Sequence, residues 1–179
     1  MSEETQKDDP EIRFIERVEK LDNGALAQLR RAAGDRMGDR PELLWFAGMT
    51  RGRQTEAADF LVATLLAQYK TATIRSGGHR RKGNFGATWK SAIGPSPSDS
   101  IRRRFHILLN SDLGRDGSGD LPYRLRQMVR YAAAKGVGLD WAQLLKDLNR
   151  WHFPERWAQK EWARSFFSGS SDSDDKDRG

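Results

Sequence analysis

No cysteine occurs in the 179 residues. Its absence excludes a disulfide framework, a thiol nucleophile and a thiolate metal site. Histidine is scarce as well: His79, His106 and His152 lie far apart, with no His-Glu-x-x-His spacing and no second ligand at helical spacing. No window approaches the ~20 apolar residues of a membrane span, and no apolar run follows a basic start, so the sequence predicts a cytoplasmic protein with no membrane partner. Alternation with period two is missing over any useful length, and no internal repeat is present, which points to an all-α fold. Carboxylates gather at the chain ends and at helix starts, where they cannot hold the paired metal ions of a nuclease. The expectation is a non-enzymatic protein without a cofactor.

What is abundant is positive charge. The net charge is +6 and the sequence pI about 9.8, and both understate the asymmetry. Glu3, Glu4, Asp8, Asp9 and Glu11 sit at one end, and Asp172, Asp174, Asp175 and Asp177 at the other. The middle is therefore strongly basic and suits a polyanion such as nucleic acid. Charge alone does not separate such a binder from a merely soluble basic protein.

Helical periodicity divides the chain into two small bundles joined by a basic loop. Residues 1–9 are acidic and read as disordered. Residues 10–70 read as an N-terminal bundle. A first helix starts at Pro10 and buries Phe14, Ile15, Val18 and Leu21, and Asp22-Asn23-Gly24 stops it. A second, from about Ala25 to Ala33, ends in Arg30 and Arg31, which complement the negative helix terminus. A short helix from Pro41 to Phe46 places Trp45 in the core, and the basic turn Arg51-Gly52-Arg53 follows. Residues 54–70 are apolar around most of the circumference, as a central, surrounded helix is. Residues 71–97 are rich in Gly, Pro and cations, including His79, Arg80, Arg81, Lys82 and Lys90, and read as the linker. Trp89 in that stretch is the tryptophan best placed to touch a partner. Residues 98–167 read as the C-terminal bundle, and residues 168–179 as a disordered acidic tail.

The organising stretch is residues 98–110, SDSIRRRFHILLN. Ile101, Phe105, Leu108 and Leu109 form one apolar stripe. Arg103 points directly away from it, and Arg102 and Arg104 flank it. Pro97, Ser98 or Ser100, and Asp99 mark the start. Further on, Asp120 is placed to cap a helix that buries Leu121, Leu125, Met128, Val129 and Ala132 and exposes Tyr123, Arg126, Gln127 and Arg130. Gly136 ends it. Asp140 with Gln143 starts the next, whose stripe holds Trp141, Leu144, Leu145, Leu148 and Trp151, and Pro154 opens the last, burying Ala158, Trp162 and Phe166.

Two motifs suggest chemistry and fail on inspection. From Asp112 to Asp120 the chain has part of a calcium-loop rhythm, but Gly114 and Tyr123 occupy positions that require oxygen ligands. Residues 78–83 have phosphate-loop spacing, yet Asn84 stands where Lys is needed and no strand precedes.

The blocks LDNGALAQLRRA (21–32), RRRFHILL (102–109), LPYRLRQMVR (121–130), LDWAQLLKDLNRW (139–151) and QKEWARSFF (159–167) occur in an order that resembles the CasB family, the small subunit of the type I-E CRISPR complex Cascade. The resemblance implies a non-enzymatic all-α subunit, present as a self-associated pair. It would bridge the large subunit and the guide-carrying backbone subunits, in the company of guide RNA. It also implies stabilisation of the target DNA and the displaced strand. Base pairing with the guide would read sequence, leaving the protein only phosphate contacts to supply. By block matching the candidate contacts are Arg30, Arg31, Arg102, Arg103, Arg104, Arg124, Arg126 and Arg130. Arg53, Arg80, Arg81 and Lys82 join them on charge alone.

Two other readings remain open. A free-standing DNA-binding regulator would use Arg126, Gln127 and Arg130 to read bases and would show a preferred sequence. A purely structural bridge would pair the arginines with acidic patches on neighbouring subunits.

Overall fold

The computed structural model describes residues 9–75 and 83–168. Arg80, Arg81, Lys82 and His79 lie outside the described residues, as do the two expected tails apart from residues 9 and 168. Among the described residues the regular structure is helical, in the order α1 (Pro10–Glu19), α2 (Asn23–Arg31), two 3-10 segments (Met37–Asp39 and Pro41–Gly48), α3 (Glu56–Arg75), α4 (Phe85–Ile93), α5 (Asp99–Leu109), α6 (Leu121–Ala134), α7 (Trp141–Asn149) and α8 (Trp157–Phe167).

Short polar side chains set several of the starts. Asp9 accepts from Glu11 N at 2.9 Å ahead of Pro10, and Asp22 accepts from Ala25 N at 2.8 Å. The tripeptide expected only to stop α1 therefore also nucleates α2, because the Asp22 side chain takes one of the free N–H groups there. Asp140 accepts from Gln143 N at 2.9 Å, as its spacing predicts. Ser98 and Ser100 do not cap α5; their hydroxyls lie 2.9 Å from each other, and only the Ser98 carbonyl engages the first turn. Asp120 also departs from the expected role. One of its oxygens accepts from Asp112 N at 3.0 Å and the other from Arg124 Nε at 2.8 Å, so it closes the 112–120 loop on itself.

Residues 71–97 are not a continuous linker. α3 runs on to Arg75, and α4 occupies Phe85–Ile93 with Asn84 as its cap, accepting from Ala87 N at 3.1 Å. A glycine hides α4 from periodicity: a Cβ on Gly86 would sit 2.1 Å from the Trp162 carbonyl oxygen. Gly86 is what allows α4 and α8 to cross so closely, and the same residue reads as a breaker in sequence. Trp89 is consequently a core residue, 4% exposed and packed edge-on against Tyr131, and no partner contact is open to it. Trp45 errs in the other direction. It lies at the surface, with its indole N–H donated to Gln28 Oε1 at 2.9 Å.

α3 is central, as its all-round apolarity requires. It packs on α1, α2, α6 and α7, and buries nearly every residue from Ala58 to Ala67. The two expected bundles therefore share one hydrophobic cluster along α3, and α1 reaches past the expected boundary to pack on α7. In the second half, Trp162 lies between Phe85 and Trp151 with ring centroids 5.1 and 4.8 Å away. Its N–H donates to the buried Asp147 at 2.6 Å. The final helix begins at Trp157, later than Pro154 suggests, because Arg156 takes a left-handed backbone (φ 54°) that reverses the chain just before it. The Arg156 guanidinium then donates to Leu109 O at 2.6 Å and Asn110 Oδ1 at 3.0 Å, closing the carbonyl end of α5.

Candidate nucleic-acid interface

Helix geometry places the candidate cations on different faces of the molecule. Arg30 and Arg31 are exposed at the end of α2, where Arg30 Nε donates to Leu26 O at 3.2 Å. Arg103 and Arg104 are exposed on α5, and Arg102 is half-buried with its Nε donating to Pro97 O at 3.4 Å. On α6, Arg130 is exposed. Arg53 stands exposed in the turn before α3. Among the described residues, none of these seven arginines is within ion-pair distance of a carboxylate.

The two remaining described candidates are held differently. Arg124 is paired with Asp120 at 2.8 Å, and this partner keeps the Asp120 carboxyl below the usual carboxylate range. Arg126 is half-buried and turned towards Gly34, whose φ of 122° and missing side chain leave room for the guanidinium. There it lines a cavity of about 310 Å³ with Asp35, Arg36, Glu56 and Asp116. Arg126 is thus half-buried, whereas Gln127 and Arg130 of the same helix are exposed.

Other cations have structural partners. Arg51 donates to Glu11 at 2.6 Å and to Asp59 Oδ1 at 2.6 Å through Nη2, and its backbone N–H and Thr55 Oγ1 donate to the other Asp59 oxygen. Burial disfavours the Arg51 charge, but Asp59 and Glu11 together hold its pKa above the ordinary value. Arg36 pairs with Asp39 and Asp116, Arg40 with Asp35 and Glu42, Lys146 with Asp9, and Arg164 with Glu161. Exposed ion pairs of this kind stabilise by only ~0.2 to 1 kcal/mol each. Their importance here is that they remove these side chains from the pool of free cations.

A groove of about 580 Å³ brings Arg53 together with Arg115, His152 and Asn149, from three segments distant in sequence. Sequence singles out Arg53 alone of this group. Arg115 carries no signal beyond its charge, and His152 becomes its neighbour only through folding.

Among the described residues no group of three or more His, Asp or Glu side chains could hold a metal ion, and no helix is long and apolar enough to cross a membrane. The fold and surface define an all-α basic protein in which outward, carboxylate-free arginines are the prominent surface chemistry. Its residues 25–167 match the model of the CRISPR-associated protein Cse2 family, and the chain belongs to that family. It is 33% identical to the CRISPR-associated protein Cse2 of Thermus thermophilus over 178 residues, covering 93% of this chain and 95% of that one. The crystal structure of M. ruber CasB is similar, with 26% identity, a TM-score of 0.69, and coverage of 88% of this chain and 91% of that one. A chain in a CRISPR RNA-guided surveillance complex gives 26% identity and a TM-score of 0.70, covering 87% and 90%.

Proposed function

We propose that the chain is a non-catalytic subunit of an RNA-guided surveillance complex, bridging other subunits and steadying target and displaced DNA strands by sequence-independent phosphate contacts. The carrying observation is the set of exposed arginines on α2, α5, α6 and the turn before α3, each free of carboxylates among the described residues. The likeness to a chain of a surveillance complex supports the choice of assembly. Within it, the large subunit, the guide-carrying backbone, guide RNA and a second copy of this chain are the proposed partners, in the cytoplasm. A free guanidinium offers five donors to phosphate oxygens, and contacts of that kind carry no sequence information. The turning of Arg126 into its cavity favours this reading over a sequence-reading regulator.

Six of the candidates are exposed: Arg30, Arg31, Arg53, Arg103, Arg104 and Arg130. If all six meet phosphates, affinity for DNA falls by roughly 10³-fold between 50 and 200 mM salt. Filter binding across a salt series checks this, and a flat response refutes direct phosphate contact. Charge reversal at Arg103 and Arg130 separates strand binding from bridging. Strand binding lost with assembly intact supports the phosphate role, whereas failed assembly assigns the arginines to acidic neighbours.

A further inference from the structure

α6 differs from its neighbours in what it leaves outside. Its sequence, LPYRLRQMVRYAAA, contains no Asp or Glu. Leu121, Leu125, Met128, Val129, Ala132 and Ala133 bury the inner side. At 100° per residue the outward arc then carries Arg130, Tyr123, Ala134, Gln127, Tyr131, Arg124 and, just past the helix end, Lys135. Tyr123 is 62% exposed and Tyr131 40% exposed, two of the few large apolar side chains left at the surface. They stand eight residues apart, about 12 Å along the axis. No ring or hydrogen-bonding partner is seen for Tyr123 among the described residues. The rim of Tyr131 is held by Trp89, with ring centroids 5.4 Å apart, and Lys135 Nζ lies 5.5 Å from the Tyr131 ring centre.

We infer that this face of α6 is a stacking platform for unpaired bases of a single nucleic-acid strand, with Tyr123 as the principal ring and Arg130 and Lys135 holding the flanking phosphates. The inference rests on the proposed phosphate-binding role and goes further by naming which form of nucleic acid this face takes. An exposed aromatic ring offers a π-face to any base, whatever its identity, but only an unpaired base has a face free to accept it. In a duplex both faces are covered by stacking. The arc is net positive: the one carboxylate beside it, Asp120, is taken up by Arg124, and Arg130 and Lys135 are left to favour a polyanion as occupant. Tyrosine and arginine also mark protein interfaces, which makes a protein contact the alternative outcome of the test.

The test uses the full chain and three labelled probes: a single-stranded oligothymidylate, a strand of equal length lacking bases, and a duplex. The native protein prefers the thymidylate strand to the base-free strand. Tyr123→Ala lowers affinity for the thymidylate strand by roughly 5-fold or more and leaves the base-free strand and the duplex unchanged, while Tyr123→Phe keeps native affinity. The position is outward on a helix and alanine is the best helix former, so folding is preserved. Unchanged thymidylate affinity in Tyr123→Ala overturns the inference, as does an equal loss on the base-free strand. Loss of assembly with partner subunits while strand binding stays intact also overturns it, by making the face a protein contact. Arg130→Ala serves as the control for the underlying reading and weakens all three probes. If Arg130→Ala and charge reversal at Arg103 both leave all three unchanged, the phosphate-binding role fails, a result distinct from failure of stacking alone.

Discussion

Asp147 is a carboxyl group placed where a carboxylate is expensive. It is 7% exposed, and its two oxygens accept from Trp162 Nε1 at 2.6 Å and Gln143 Nε2 at 2.8 Å. Burial raises its pKa from 3.8 to about 6, against the opposing pull of those two donors. Between those values the folded state holds a proton that the unfolded chain has released, so Asp147 favours folding at low pH and that contribution is lost as pH rises through 6. The shift of about two units corresponds to ~3 kcal/mol. Asp147→Asn removes this titration and keeps the shape, since its carbonyl still accepts from Trp162 and the Gln143 amide can turn to present its oxygen. Denaturant unfolding at pH 4 and pH 7 should therefore show the variant gaining on the native protein by roughly that amount as pH rises. The comparison between variants isolates Asp147 from Asp39, Asp116 and Asp120. Their pKa values are lowered, so they favour folding at higher pH in both proteins.

Among the elements, α4 and α8 are joined most closely, and Gly86 is the reason. An added methyl would meet the Trp162 backbone oxygen at 2.1 Å, and helix backbone cannot yield as a side-chain tip can. Gly86→Ala should cost about 1 to 3 kcal/mol through overpacking, although alanine is the better helix former by roughly 1 kcal/mol. A fall in thermal midpoint checks the sign. The same contrast marks what could be read from sequence. The strongly patterned elements α3, α5, α6 and α7 were legible because each buries one stripe, or all sides, at helical spacing, and in α7 the wide apolar stripe makes up for a length of only 9 residues. α4 was not, since a helix of 9 residues with a glycine in its first turn carries too little periodic signal, and its glycine is explained only by the crossing with α8. For the candidate site, Arg103 and Arg130 were legible as outward residues from the pitch of their helices, while Arg102 and Arg104, both placed at the edges of the stripe, part in the structure into a half-buried and an exposed residue. Arg126 was not, because its direction depends on the space beside Gly34, 92 positions away in the chain. The closeness of Arg53 to Arg115 and His152 depends likewise on tertiary contacts that no local pattern records.

At the scale of the whole molecule, positive charge is sorted into two uses. Arg36, Arg40, Arg51 and Lys146 tie segments together through carboxylates, while the outward arginines of α2, α5 and α6 keep their charge uncompensated among the described residues. Salt should accordingly weaken strand binding far more than it weakens folding, because the buried Arg51–Asp59 pair is little screened and the exposed pairs contribute little. The packing of α1 on α7, tied by Lys146 to Asp9 and by Asn149 to Glu11, joins the start of the chain to a helix more than a hundred residues later. On the ribosome the first helix is therefore made long before its partner exists. α3 emerges with the sides meant for α6 and α7 still bare, and the nascent chain must shelter them until nearly all of it is out. A fragment ending at residue 97 should bind a hydrophobic dye and melt without a sharp transition, as scanning fluorimetry can check, so that synthesis stalled midway yields a chaperone client and not a half-sized protein.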